Sequence, residues 1–145
     1  MKKPFVLVLG KPGSGKSSVL RRAFAKVRDK AAFLDGDHDF NQMMQIIHES
    51  GFQSASYFYC PNPDELPDIV EERNEAVIFI DTPKITASLA KKIADAAEER
   101  KIVIAASSLD GEIPSELEEF AFSTIILKEN RDETSSAIIE ALEIV

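Results

Sequence analysis

The stretch Phe5-Val6-Leu7-Val8-Leu9-Gly10-Lys11-Pro12-Gly13-Ser14-Gly15-Lys16-Ser17-Ser18 decides the fold. It opens with five apolar residues in a row, the pattern of a strand buried on both faces. From Gly10 to Ser17 the spacing is G-x-x-x-x-G-K-[ST], and a helical pattern follows with Val19, Leu20, Phe24 and Val27 on one face. Strand, glycine-rich turn and helix in that order suit a phosphate group. Gly13 and Gly15 free the backbone to form a nest of converging N–H groups, and the helix adds the positive end of its dipole. The residues expected to hold a nucleotide are therefore Gly10, Pro12, Gly13, Ser14, Gly15, Lys16, Ser17 and Ser18. Lys16 would reach the β- and γ-phosphates, and the Ser17 hydroxyl would bind Mg2+, which takes oxygen ligands in octahedral geometry.

Outward from this stretch the same alternation continues. Short apolar runs at 31–34, 77–80 and 102–106 read as further buried parallel strands, with 55–59 and 124–127 as two more candidates. Helical patterns fall between and after them, at 17–28, 40–50, 64–72, 86–99 and 131–143. Alternating strands and helices joined by right-handed crossovers give an α/β protein. The expected form is a three-layer αβα sandwich around a mainly parallel sheet of five to six strands, with its site at the strand C-termini. The 145 residues contain no repeat, linker or low-complexity tract, so a single domain over 1–145 is expected.

With 44% apolar and 29% charged residues the composition excludes a disordered chain. The balance of 17 basic against 25 acidic residues, a net charge of -8, repels polyanions and disfavours unaided nucleic-acid binding. No run approaches the ~20 apolar residues of a membrane span, and the apolar run after Lys2 and Lys3 is too short for a secretory leader. A soluble chain that uses cellular ATP or GTP belongs in the cytoplasm. Its single cysteine, Cys60, has no intrachain partner and reads as a buried, inert thiol.

Further candidates lie at strand ends. Val77-Ile78-Phe79-Ile80-Asp81 closes an apolar strand on a carboxylate suited to the magnesium shell, though an aspartate there also suits a helix cap. The next residues are Thr82 and Pro83, and a threonine is no general base at neutral pH. Hydrolysis is therefore expected to be slow, to need a partner, or to use another carboxylate. Phe33-Leu34-Asp35-Gly36-Asp37-His38-Asp39 supplies such carboxylates: Asp35 and Asp37 read either as a base or acceptor-hydroxyl ligand, or as ordinary turn residues. His38 reads as a surface turn residue and His48 as part of a helix face; two histidines so far apart point to magnesium rather than zinc. Ser107 and Ser108 end the fourth core strand beside the expected γ-phosphate position, as a sensor or as a cap.

With the loop, Asp81 and Ser107 in this order, the chain resembles the P-loop NTPases of the RecA-like motor type, especially the FtsK and HerA type and less closely the secretion and pilus-retraction ATPases. The resemblance implies Mg-ATP binding, ATP hydrolysis with Lys16, Asp81, Asp35 and Asp37 as catalytic candidates, and Ser17 and Asp81 on the metal side. It also implies homo-oligomeric rings in which an arginine of one subunit completes the next site. Arg100 and Arg131 stand at candidate positions, while as residues they read as solvated surface arginines. Thr82 replaces the acidic base of that family, and a serine stands where its sensor is a glutamine.

A rival resemblance is to gluconate, shikimate and adenylylsulfate kinases, carried by Phe33-Leu34-Asp35-Gly36-Asp37; against it, 105–119 contains no arginine for a lid. A third reading is a nucleotide-dependent switch with little turnover, which Thr82 favours. The guanine motif N-K-x-D is absent, with Ser107-Ser108-Leu109-Asp110 its nearest approach, so ATP is expected ahead of GTP.

Overall fold

The computed structural model describes residues 3–10, 15–52, 56–82, 85–98, 100–107, 121–126 and 131–144. Among these residues are six strands and five α-helices, in the order β1 (Lys3–Gly10), α1 (Lys16–Val27), β2 (Ala31–Asp35), α2 (Phe40–Ser50), β3 (Tyr57–Tyr59), α3 (Leu66–Glu72), β4 (Val77–Asp81), α4 (Ala87–Ala97), β5 (Lys101–Ser107), β6 (Ala121–Ile126) and α5 (Arg131–Ile144). They form one sheet in the order β3-β2-β4-β5-β1-β6, and every described pairing is parallel.

Why both sheet faces are apolar follows from the period of two along a strand. Val6 and Val8 of β1, Phe33 of β2, Phe79 of β4 and Val103 of β5 pack on α1, α2 and α5. Their neighbours Phe5, Leu7, Leu34, Ile78, Ile80, Ile102 and Ile104 pack on α3 and α4. The result is the expected three-layer αβα sandwich. The helices after β1 and β2 lie on one face and those after β3 and β4 on the other. This is the change of side that opens a crevice at the strand C-termini.

Aromatic rings organise the α1 face. Phe24 sits edge-on to Phe33, Phe52, Tyr57 and Phe79, with centroids 5.1 to 6.4 Å away, and Phe33 stacks on Tyr57 at 4.6 Å. Such pairs contribute roughly 0.5–1.5 kcal/mol beyond area burial, and they fix the tilt of the Tyr57 ring.

Element bounds differ from the sequence expectation mainly where local chemistry intervenes. The segment expected as one helix over 64–72 begins as a 3-10 turn, Pro63–Glu65, capped by the Asn62 side chain, before α3 starts at Leu66. A second 3-10 turn, Arg28–Lys30, ends the helix expected to reach residue 28. The strand expected at 124–127 is Ala121–Ile126, and the one expected at 55–59 is Tyr57–Tyr59.

Arg100 requires correction. Neither a solvated side chain nor a catalytic finger, its guanidinium donates to the carbonyls of Val70 at 2.8 Å, Ala96 at 3.1 Å, Ala97 at 3.1 Å, and Arg73. The last carbonyls of a helix lack intrahelical donors, and Arg100 supplies them to α3 and α4 together. It stands just before β5, at the opposite end of the sheet from the strand C-termini.

Candidate functional site

Gly15 caps α1 with φ 93, a left-handed conformation that favours glycine, and so turns the chain from the loop into the helix. Lys11, Pro12, Gly13 and Ser14 lie outside the described residues. Lys16 is buried in the first turn of α1, Ser17 and Ser18 are half-buried, and Gly10 ends β1.

Two strand ends meet α1 here. Register pairs Asp35 of β2 with Asp81 of β4, and in a parallel pair such residues face the same way. Both continue the α1-facing alternation of Phe33 and Phe79, so their carboxylates emerge beside the first turn of α1. Ser17 Oγ donates to Asp81 Oδ2 at 2.5 Å, while Asp37 Oδ2 lies 3.3 Å from the same hydroxyl. Asp81 is fully buried, and its Oδ1 has no hydrogen-bond partner among the described residues. Burial pushes the Asp81 carboxyl up to about 6; the Ser17 bond opposes this, and the charges of Asp37 and Asp35 add to it.

Asp35 is equally buried but fully engaged. Oδ1 accepts from the backbone N–H groups of Asp37 and His38 at 3.0 and 3.1 Å, and Oδ2 accepts from the Tyr57 hydroxyl at 2.6 Å. His38 Nδ1 lies 3.0 Å from Oδ2 and 3.1 Å from Oδ1. Burial alone would raise this carboxyl, but the bonds from His38 and Tyr57 and the charge of His38 hold it below the usual carboxylate range. The hydrogen bond to Asp35 in turn raises His38 above the ordinary histidine value, against desolvation. Burial and then Asp35 raise the Tyr57 phenol. The surface-turn expectation for His38 is thus corrected: its side chain is 22% exposed and turned inward onto Asp35.

Gly36 makes this turn possible. Its N–H donates to the Asp81 carbonyl at 2.8 Å, and a Cβ there would stand 2.7 Å from the Cys60 carbonyl oxygen and 3.2 Å from that of Asp81. Cys60 N–H completes the weld by donating to the Asp35 carbonyl at 2.8 Å. The three aspartates of the run therefore part company. Asp35 is held inside, Asp37 is exposed at the mouth beside Ser17, and Asp39 caps α2 in a reciprocal box with Gln42.

Thr82 follows Asp81 and is also buried. Ser107, the end of β5, pairs in register with Gly10, which puts its strand between those of Gly10 and Asp81. Ser108 and Asp110 lie outside the described residues; Arg131 opens α5. Cys60 is buried, and burial pushes its thiol up to about 11, so it stays a protonated, inert group at neutral pH. His48 lies exposed on α2. Hollows of about 310 Å³, between Phe24 and Phe52, and of about 820 Å³, between Lys30 and Lys101, flank the beginnings of strands and are remote from these carboxylates.

Tyr57 was not identified as a site residue on the sequence. The signal was present in the alternation of Tyr57-Phe58-Tyr59, which puts Tyr57 and Phe58 on opposite faces, but the pairing of β3 with β2 was needed to aim the hydroxyl at Asp35.

No family model and no curated protein matches the sequence. Among solved structures, PCH-2 of C. elegans is similar over 97% of this chain and 41% of its own, at 14% identity and a TM-score of 0.50. The flagellar accessory protein FlaH of Methanocaldococcus jannaschii aligns over 97% of this chain and 69% of its own, at 13% identity and a TM-score of 0.44. The signal receiver domain of the putative response regulator NarL of Mycobacterium tuberculosis aligns over 99% and 98%, at 12% identity and 0.46. The similarity to PCH-2 bears on the fold alone, a three-layer α/β sandwich. Among the described residues, no helix is long and apolar enough to cross a membrane.

Proposed function

We propose that the chain is a cytoplasmic Mg-ATP-binding P-loop NTPase of RecA-like type that hydrolyses ATP slowly or under stimulation by a partner. The observation that carries this reading is the meeting of Ser17 with Asp81, 64 positions apart in sequence and 2.5 Å apart in space, with one buried carboxylate oxygen left without a partner among the described residues. A buried carboxylate with an unsatisfied oxygen costs stability, which a cation would recover. Ser17 and Asp81 offer the hard oxygen donors that magnesium takes, so these residues fit the metal; when bound it would neutralise charge on the phosphates. Lys16 and the loop N–H groups would bind and orient the phosphates. Supporting the RecA-like reading is β5, the strand ending at Ser107, which lies between the strands of Gly10 and Asp81 and so ends beside both.

Slow turnover follows from Thr82 and from Asp35. The first is no base, and the second has its lone pairs committed to four donor groups. Asp37 is the carboxylate with solvent access, and it would orient the attacking water. The same exposure would let Asp37 meet an acceptor hydroxyl, which is the observation that favours a kinase as second reading.

Calorimetric titration with Mg-ATP tests the reading. Binding is expected for the wild type and a loss of about 100-fold or more for Lys16→Ala, the scale of removing a charged partner from a desolvated ion pair. Unaltered affinity in the variant would overturn it. Phosphate release without any acceptor supports the ATPase, and turnover only with an added hydroxyl acceptor supports the kinase.

A further inference from the structure

Asp35 and His38 have no part in nucleotide binding as proposed above, yet they stand against Asp81. A carboxylate oxygen of each aspartate and a ring nitrogen of His38 all lie within 4.8 Å of one another. Nδ1 of His38 and Oδ2 of Asp35 are 3.0 Å apart. This is a hydrogen-bond distance, so a metal ion would take the place of the proton now held between the two atoms.

Further observations point to a ligand. Asp81 Oδ1 is buried without a partner among the described residues, so the cluster contains an acceptor that none of them satisfies. The donors are also preorganised. Tyr57, clamped by stacking on Phe33, orients Asp35 through its hydroxyl, and the backbone N–H groups of Asp37 and His38 fix the other oxygen. Outer partners of this kind hold metal-ligating carboxylates in place.

We infer that Asp35, His38 and Asp81 form a binding site for a divalent transition-metal ion, able to bind it without nucleotide. Two carboxylates and one imidazole suit Mn2+, Co2+ or Zn2+; the nitrogen distinguishes the site from one built for magnesium, which prefers oxygen throughout. On binding, His38 gives its Nδ1 proton to solvent and its nitrogen lone pair to the metal; loss of that proton frees the Asp35 lone pair it had occupied, and Asp35 and Asp81 contribute oxygen. The Ser17 hydroxyl, 2.5 Å from Asp81, lies at the edge of this site, so a bound ion would stand where a nucleotide could reach it.

The test uses tag-free, nucleotide-free protein titrated with Mn2+ and read by pulsed electron paramagnetic resonance. Saturable 1:1 binding with a nitrogen coupling that changes on 15N-histidine labelling is expected. His38 and His48 are the chain's two histidines, so His38→Ala should abolish the coupling and weaken binding by about 10-fold or more, and His48→Ala should leave both unchanged. Asp35→Asn should weaken binding without removing the nitrogen signal. Absence of saturable binding up to millimolar Mn2+, binding without nitrogen coupling, or a coupling that survives His38→Ala would each overturn the inference. Because no nucleotide is present, failure of ATP binding would leave this result standing, and the reverse holds too.

Discussion

Where the strands begin, Arg100 is shared among carbonyls of α3, α4 and the turn after α3, Lys101 donates to the Leu142 carbonyl, and Arg73 pairs with Glu75 while lying 4.2 Å over the Phe58 ring. Where the strands end, Asp81 keeps an oxygen unpartnered among the described residues, beside Asp35 and Asp37. The first edge spends its charges on closing helix ends and packing elements together. The second leaves like charges crowded in a buried place, an arrangement that costs folding energy and makes sense only if a ligand answers it. Charge alone does not mark a site, since both edges are rich in it; the unmet demand does.

Removing Arg100 would break the first edge most. Arg100→Ala should lower stability by about 3–5 kcal/mol, because it strips donors from several carbonyls of two helix ends at once. Urea unfolding measures this, and a loss below about 1 kcal/mol would show that water substitutes for the guanidinium.

At the other edge the sign should reverse. Asp81→Asn removes a charge whose folded pKa, about 6, lies above the ordinary 3.8. A raised carboxyl binds more protons folded than unfolded, so the ionised wild type loses stability as pH rises through 3.8 to 6 and stays penalised above it. In chelator and without nucleotide, the variant should be the more stable by on the order of 2–3 kcal/mol at pH 8, with the gap closing near pH 4. Thermal melts across that range check it, and a gap independent of pH would sink the electrostatic account. Mg-ATP should stabilise the wild type more than the variant.

Tyr57→Phe should cost about 1.5–3 kcal/mol, the range for a hydrogen bond to a charged group. The ring stack on Phe33 remains, so the loss isolates the hydroxyl that faces Asp35. If equilibrium unfolding shows no change, Asp35 is held by its backbone donors alone.

The smallest effect sharpens the contrast within one run of acids. Asp39→Ala removes the α2 cap and should cost about 1 kcal/mol, with Mn2+ and Mg-ATP affinities unchanged. A change in either affinity would place Asp39 in the site rather than under it.

Much of the fold was legible because its cause is local. Apolar runs of strand length, glycines at Gly10, Gly13 and Gly15, and helical periodicity each act over a few residues, so reading them requires no knowledge of neighbours in space. Bounds moved where caps such as Asn62 acted, a side-chain effect outside the periodicity. Arg100 and His38 were misjudged for another reason: both are polar side chains beside turns, where solvent exposure is the ordinary outcome, and only packing revealed the carbonyls and the carboxylate they serve.

The sequence by itself determined the three-layer α/β architecture, the approach of Ser17 to a strand end, and the absence of an acidic residue after Asp81, because these depend on residue order. Only the tertiary structure decided that β2 lies beside β4 in the register Asp35 with Asp81, and that β3 brings Tyr57 to Asp35. Strand order arises from which crossovers bury the most apolar surface across the whole sheet, a collective property that no short segment encodes. That order turned carboxylates 46 residues apart into register partners and separated Asp35, Asp37 and Asp39 into three different tasks.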